Sequence, residues 1–362
     1  MRRDTQLIPT LVGPTLDNAD YRAFRSASAH KVRMSISPIA DLTDSAEIER
    51  RDTHAKRIQA AMDASLSTAT RRAYAGAIRQ LQSWCEAEHF EDWLAPLAIA
   101  AHITARVESG RGVSTVTICL AAIRQYAIEH DLPSDPTRNS ALRRTVAGVR
   151  HQLVGRTPSR AHALTTRELA RILSAIDRST KAGKRDAALL TLIYASAMRR
   201  SEVAALRRRD LRLGSDGIVV TISKSKTDQF GGGEVVGVTK GLHPGTDPLS
   251  AVTRWLAARG HISPEQAIFC RITRSGAILA GSQITGATVA KILQTRAAAA
   301  GVEAIGLSGH SPRSGHITTA AIAGLSLEQI ARTSRHKSIP VLMTYIRPAT
   351  VLGDTSAGSL GL

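Results

Sequence analysis

The sequence predicts a mainly α chain with a small β-sheet, built as an all-α domain followed by a mixed α/β domain. Three observations predict it. Apolar residues recur at helical spacing in four stretches between Thr70 and His151. A polar segment follows at 152–163 and gives way to a helix-start signal. Beyond it the apolar period shortens to two in GIVVTIS and EVVGVT, then returns to helical spacing.

Each element has its own justification. Residues 1–55 mix charges of both signs and are interrupted by Pro9, Pro14 and Pro38, which predicts a flexible arm with one short helix. Residues 56–151 form the helical domain. Tyr74, Ile78, Leu81 and Cys85 make the first stripe, and Leu97, Ala100, Ile103 and Val107 the second, with Pro96 in its first turn. Gly110 and Gly112 break the chain before Val116, Leu120, Ile123 and Ala127. A fourth helix, 137–151, carries Leu142, Val146 and Val149. Four helices on short loops predict a compact bundle.

Residues 152–163 read as a linker, and 164–349 as the second domain. Thr165 and Glu168 have capping-box spacing, followed by Leu169, Ile172, Leu173 and Ile176. Residues 185–206 predict two helices around a bend at Ser196–Met198. Strands at 217–223 and 234–239 flank the turn KSKTDQFGGG, a hairpin with a basic, Gly-rich tip. Helices are expected near 248–258, 286–300, 315–323 and 326–335, and the end, 350–362, as a tail.

Composition narrows the function. The chain has 362 residues, with 48 Lys and Arg against 30 Asp and Glu, a formal net charge of +18. Such an excess points to a polyanionic partner. Aromatics are only 3%, which disfavours recognition by stacking single-stranded bases. Cys85, Cys119 and Cys270 lie far apart with no C-x-x-C pair, which disfavours a disulfide framework or a thiolate zinc site. No secretory apolar core or membrane-length apolar run is evident, so the expected location is the cytoplasm, at the nucleoid. On the helical domain Arg71, Arg72, Arg138, Arg143 and Arg144 flank the apolar stripes. A solvated face is the ordinary role of such arginines, and the net charge tilts the group toward DNA.

No phosphate-binding G-x-x-x-x-G-K-[ST] loop and no H-E-x-x-H occurs. An enzyme acting on phosphodiesters without ATP or metal needs cations around the phosphate. It also needs a covalent nucleophile if bond energy is to be kept. The second domain offers both. Arg199 and Glu202 begin a helix, and Lys224 and Lys226 sit on the hairpin tip. His310 and Arg313 stand three apart in SGHSPRSGH, Arg335-His336 ends a helix, and Tyr345 follows in VLMTYIRP.

In order and spacing, Arg199, Lys226, His310-x-x-Arg313, His336 and Tyr345 resemble the active-site signature of the tyrosine recombinases, the phage integrase family, and most closely its Cre-like branch. The resemblance covers roughly residues 60–350. It implies a core-binding domain over the helical block and a tyrosine-recombinase catalytic domain after it. It also implies site-specific cleavage and rejoining of duplex DNA through a 3′-phosphotyrosyl link, with no metal, ATP or other cofactor. Arg199 and Arg313 would hold the phosphate, Tyr345 attack it, and His310 take or orient the tyrosyl proton. Lys226 would protonate the leaving 5′-oxygen, and His336 would contact the phosphate or buttress Tyr345. Glu202 would orient neighbouring site residues. Lys224 and Lys226 fall on the same side of a continuing strand, so spacing does not separate them; the family's second hairpin lysine matches Lys226. The implied partners are double-stranded DNA with an inverted-repeat site and further copies of the chain, two per site and four at synapsis. Two rivals stay open: a DNA-binding accessory of the same fold, and a type IB topoisomerase or telomere resolvase.

The sequence departs from the family pattern at four places. Ser196-Ala197 stands where Thr-Gly is common, Pro312 where Leu is, and Ser314 where His is. Arg335 replaces the glycine that usually precedes the late histidine, which adds charge beside the scissile phosphate and makes Arg335 a DNA-binding candidate.

Overall fold

The computed structural model describes residues 50–350, apart from 51, 55, 59, 62–64, 155–161 and 223–232, and side chains to Ile346. The arm before residue 50, most of the linker, the hairpin tip with Lys224 and Lys226, and the tail after Thr350 lie outside the described residues. The chain divides into two compact units, Met1–Pro158 and Ser159–Leu362.

In the first unit, α1 (Thr68–Ala87), α2 (Pro96–Glu108), α3 (Val113–Glu129) and α4 (Ser140–Gln152) enclose one core. Leu81 and Cys85 of α1 meet Ile99 and Ile103 of α2, Val116 and Ile123 of α3, and Leu142, Val146 and Val149 of α4. Burying each large aliphatic side chain stabilises the unit by about 1.5–3 kcal/mol. The last helix starts later than its apolar pattern predicts. Pro136–Arg138 form a short 3-10 turn, and the Asn139 carboxamide oxygen accepts from the amides of Ala141 and Leu142, so α4 begins at Ser140.

The second unit is built around α6 (Lys181–Ala195), which is buried almost throughout from Asp186 to Tyr194. Its neighbour α5 (Thr166–Ser174) starts at the predicted capping box: Thr165 Oγ1 accepts from Glu168 N at 3.1 Å, and Glu168 Oε2 accepts from Thr165 N at 2.7 Å. After α6 the chain bends at Ala197 and enters α7 (Arg200–Ala205). Strands β1 (Leu211–Leu213), β2 (Gly217–Ile222) and β3 (Glu234–Thr239) form an antiparallel sheet in that order. Ile218, Val220, Val236 and Val238 face the core shared with α6 and α8 (Pro248–Arg259). A second hairpin, β4 (Cys270–Ile272) and β5 (Ile278–Gln283), leads into α9 (Gly286–Ala299). Strands β1, β4 and β5 are additions to the sequence-based expectation; β1 and β4 are three residues long, too short to show a period.

The last three helices carry most of the candidate site. They are α10 (Ser311–Ile322), α11 (Leu327–Ser334) and α12 (Ile339–Thr350). Ile317 and Ala320, Ile330, and Leu342 and Ile346 form their common core. Helix α10 starts four residues before its expected position, because Pro312 fits the first turn and Ser311 Oγ accepts from Ser308 N. Gly315 allows the chain entering α5 to cross α10: a Cβ there would lie 1.8 Å from the Leu164 carbonyl oxygen. No described helix is long and apolar enough to cross a membrane.

Candidate active site

Arg199 is the residue before α7, and Glu202 one turn later is buried beneath it. Glu202 Oε2 accepts from Arg199 N at 2.8 Å, and Oε1 accepts from Arg199 Nη1 at 2.6 Å. One carboxylate thus fixes both the backbone and the guanidinium of Arg199.

Arg313, on the first turn of α10, is only 1% exposed. Its Nη1 donates to the Ala197 carbonyl at 2.7 Å, which ties α10 to the bend after α6. That carbonyl is presented by a left-handed backbone, with Ala197 at φ 49°. Arg313 Nη2 lies 3.4 Å from each ring nitrogen of His336, so the guanidinium rests against the imidazole. Burial first, then the charges of Arg199 and Arg335, lowers the Arg313 pKa to about 10, so it stays cationic at neutral pH.

His310 precedes α10, and its Nε2 is 3.0 Å from the Tyr345 hydroxyl on α12. The His336 ring also lies beside the phenol, with centroids 5.7 Å apart. Ser334 Oγ, 2.8 Å from His336 Nδ1, fixes that ring. Burial and then the Arg313 charge lower the His336 pKa to about 4, with Arg199 contributing next. Burial, then Arg313, Arg199 and Arg200, also hold His310 below the usual histidine value. Both imidazoles are therefore biased toward the neutral form, able to accept a proton.

Of the predicted set, the structure gathers Arg199, Glu202, His310, Arg313, His336 and Tyr345 in one place. Lys226 lies outside the described residues. Arg71, Arg72, Arg138, Arg143 and Arg144 are all exposed in the first unit.

Arg335 is a correction. The sequence places it facing DNA, yet its side chain is only 4% exposed. It caps α11 in a left-handed conformation, φ 57° and ψ 44°, and turns inward. Its Nη2 donates to Glu202 Oε2 at 2.6 Å, and its Nε lies 3.3 Å from Glu234 Oε2 at the start of β3. Two carboxylates draw it in. Sequence reasoning misses Glu234, which carries no motif; only the fold brings it to Arg335. The helix α12 that bears Tyr345 is a further element that the sequence reading does not include.

The sequence matches the Phage integrase family over residues 162–350. It is 26% identical over 319 residues to an integrase/recombinase xerD homolog of Selenomonas ruminantium, covering 87% of this chain and 92% of that protein. It is 24% identical to the recombinase cre of Escherichia phage P1, covering 74% of this chain and 81% of that one. The fold is similar to that of a lambda integrase dimer bound to a COC′ core site, with a TM-score of 0.53 and 16% identity over 84% of this chain and 95% of that one. With more than half of its length matched, and that half holding the gathered cations, imidazoles and phenol, the chain belongs to the phage integrase family, the tyrosine recombinases.

Proposed function

We propose that this recombinase cuts and rejoins duplex DNA at a specific site through a 3′-phosphotyrosyl intermediate on Tyr345, without metal or ATP. The observation that carries the reading is the Tyr345 hydroxyl, 3.0 Å from His310 Nε2, with the half-buried His336 ring, which rests against the buried Arg313, 5.7 Å from the phenol ring.

The chemistry balances without an outside energy source. Tyr345 Oη attacks the scissile phosphorus as His310 Nε2 accepts the phenolic proton. Arg199 and Arg313 grip the non-bridging oxygens and offset the charge that builds on the five-coordinate phosphorus. The bond to the 5′-oxygen breaks, and Lys226 gives that oxygen its proton. One phosphoester replaces another, so a second 5′-hydroxyl reverses the step on a partner strand. His336, neutral near pH 7, donates to or orients the phosphate. Glu202 holds Arg199, and Arg335 holds Glu202.

The helical region, 56–151, grips the duplex through Arg71, Arg72, Arg138, Arg143 and Arg144, and region 164–349 cuts it. Two copies bind an inverted-repeat site and four assemble at synapsis. The structurally similar lambda integrase is a dimer on its core site, which supports two copies per site. Such a protein works at the nucleoid, in the cytoplasm.

A pair of substrates tests the assignment. Lys226→Ala cripples cleavage of ordinary DNA in EDTA but spares a duplex whose leaving 5′-oxygen is replaced by sulfur, which needs no proton. Equal loss on both substrates moves the proton donor elsewhere, with Lys224 next in line. No cleavage by the unaltered chain in EDTA, with cleavage restored by a divalent ion, rejects the metal-free step.

A further inference from the structure

We propose that Arg200 is a DNA-binding residue of the active site, holding a backbone phosphate adjacent to the one that Tyr345 attacks. The proposal rests on the reading of the chain as a DNA-cleaving enzyme and adds a contact which that reading does not include.

The argument begins with its neighbour. Arg199 is tied by Glu202, Arg335 by Glu202 and Glu234, and Arg313 by the Ala197 carbonyl. Arg200 differs from all three. It is exposed, and no carboxylate among the described residues lies within ion-pair distance of it. Four guanidiniums thus share two carboxylates, and the uncompensated charge at the surface is that of Arg200.

Two glycines set its direction. Its stem runs between Gly286, at the start of α9, and Gly309, the residue before His310. A Cβ on Gly309 would come 2.5 Å from Arg200 Cδ, and one on Gly286 would come 3.1 Å from Arg200 Cγ. The missing side chains form a groove that lays the arginine along the segment leading to His310. The guanidinium is two bonds beyond Cδ, so it ends beside that segment, and its charge is felt at His310. A planar cation with no carboxylate partner among the described residues, held at the rim of a phosphate site, suits the next phosphate along the strand.

The test uses duplexes that each carry one neutral methylphosphonate near the cut. Equilibrium binding is measured for the unaltered chain and for Arg200→Gln. The expected result is that one position, neighbouring the scissile phosphate, weakens binding of the unaltered chain about tenfold. Arg200→Gln weakens binding to native DNA to the same degree and is indifferent to that substitution. Its slope of log affinity against log salt is shallower by about 1. Gly309→Ala, which displaces the Arg200 stem, loses the same coupling, and Arg200→Lys keeps part of it. Losses that add at every position, or an Arg200→Gln chain that binds native DNA as before, overturn the proposal. The readout is binding, so it also works in a Tyr345→Phe background. A chain that shows the coupling yet never cleaves defeats the catalytic reading and leaves this contact standing.

Discussion

Two residues in left-handed backbone sit on either side of the site, and neither is glycine. Ala197 has φ 49° and Arg335 φ 57°. A Cβ in this region costs roughly 1–2 kcal/mol. At Ala197 only the burial of its methyl group, about 0.8 kcal/mol, offsets that cost, and the group the site uses is its carbonyl. Ala197→Gly is therefore expected to raise stability by up to about 1 kcal/mol and the melting temperature by up to about 4 °C. A lowered melting temperature would contradict this. Arg335→Gly relaxes the same strain but removes the second guanidinium from Glu202, which keeps Arg199, and takes the Arg335 contact away from Glu234. Charge-assisted hydrogen bonds of this kind contribute about 1.5–3 kcal/mol, so the cleavage rate at saturating DNA is expected to fall roughly tenfold to a hundredfold. DNA affinity should change little. A loss confined to affinity would return Arg335 to the DNA surface. The sequence shows that Arg335 replaces a glycine but not which way it points. Direction depends on the left-handed cap and on Glu234, distant in the chain and beside it in space.

Among the elements, helices with one buried stripe are the most legible. The first three of the helical unit, α5 with its capping box, and the pair around the Ala197 bend lie where their patterns put them, within a few residues. Fragments are not legible. Strand β1 pairs Leu211 with Val220 only because β2 is already in place. Helix α12 is short, and its β-branched residues and Pro348 weaken local helix preference, so packing on α10 and α11 decides it. Leu342 is fully buried in that packing and lies three residues before Tyr345. Leu342→Ala is expected to destabilise the protein by about 2–5 kcal/mol. It should also slow Tyr345 attack more than DNA binding, while Leu342→Met preserves both. Unchanged attack in the alanine variant would mean that α12 is held by something other than this core.

Across the whole molecule, desolvated neutral histidines, the buried His102 and the half-buried His336, couple stability to pH. Burial first and then Arg106 lower the His102 pKa to about 4, and His336 reaches a similar value. In the unfolded chain both return to the ordinary 6.5. Between these values the unfolded state binds more protons, so stability is full above pH 6.5 and is lost as the pH falls toward 4. The slope is at most about 1.4 kcal/mol per pH unit for each group. Urea midpoints should fall from pH 7.5 to pH 5, and His102→Leu should flatten the fall. A midpoint that rises on acidification would contradict the burial of these rings.

The central claim concerns one oxygen atom. A duplex nicked beside the cut loses its short fragment after attack, so the protein–DNA link cannot reverse. Digesting that adduct and identifying the nucleotide-bearing peptide by mass spectrometry locates the nucleophile. The expected peptide contains Tyr345 with a 3′-phosphate on its phenol, and Tyr345→Phe yields no adduct while still binding the duplex. A modified peptide from any other part of the chain, or an adduct that survives Tyr345→Phe, would contradict the account.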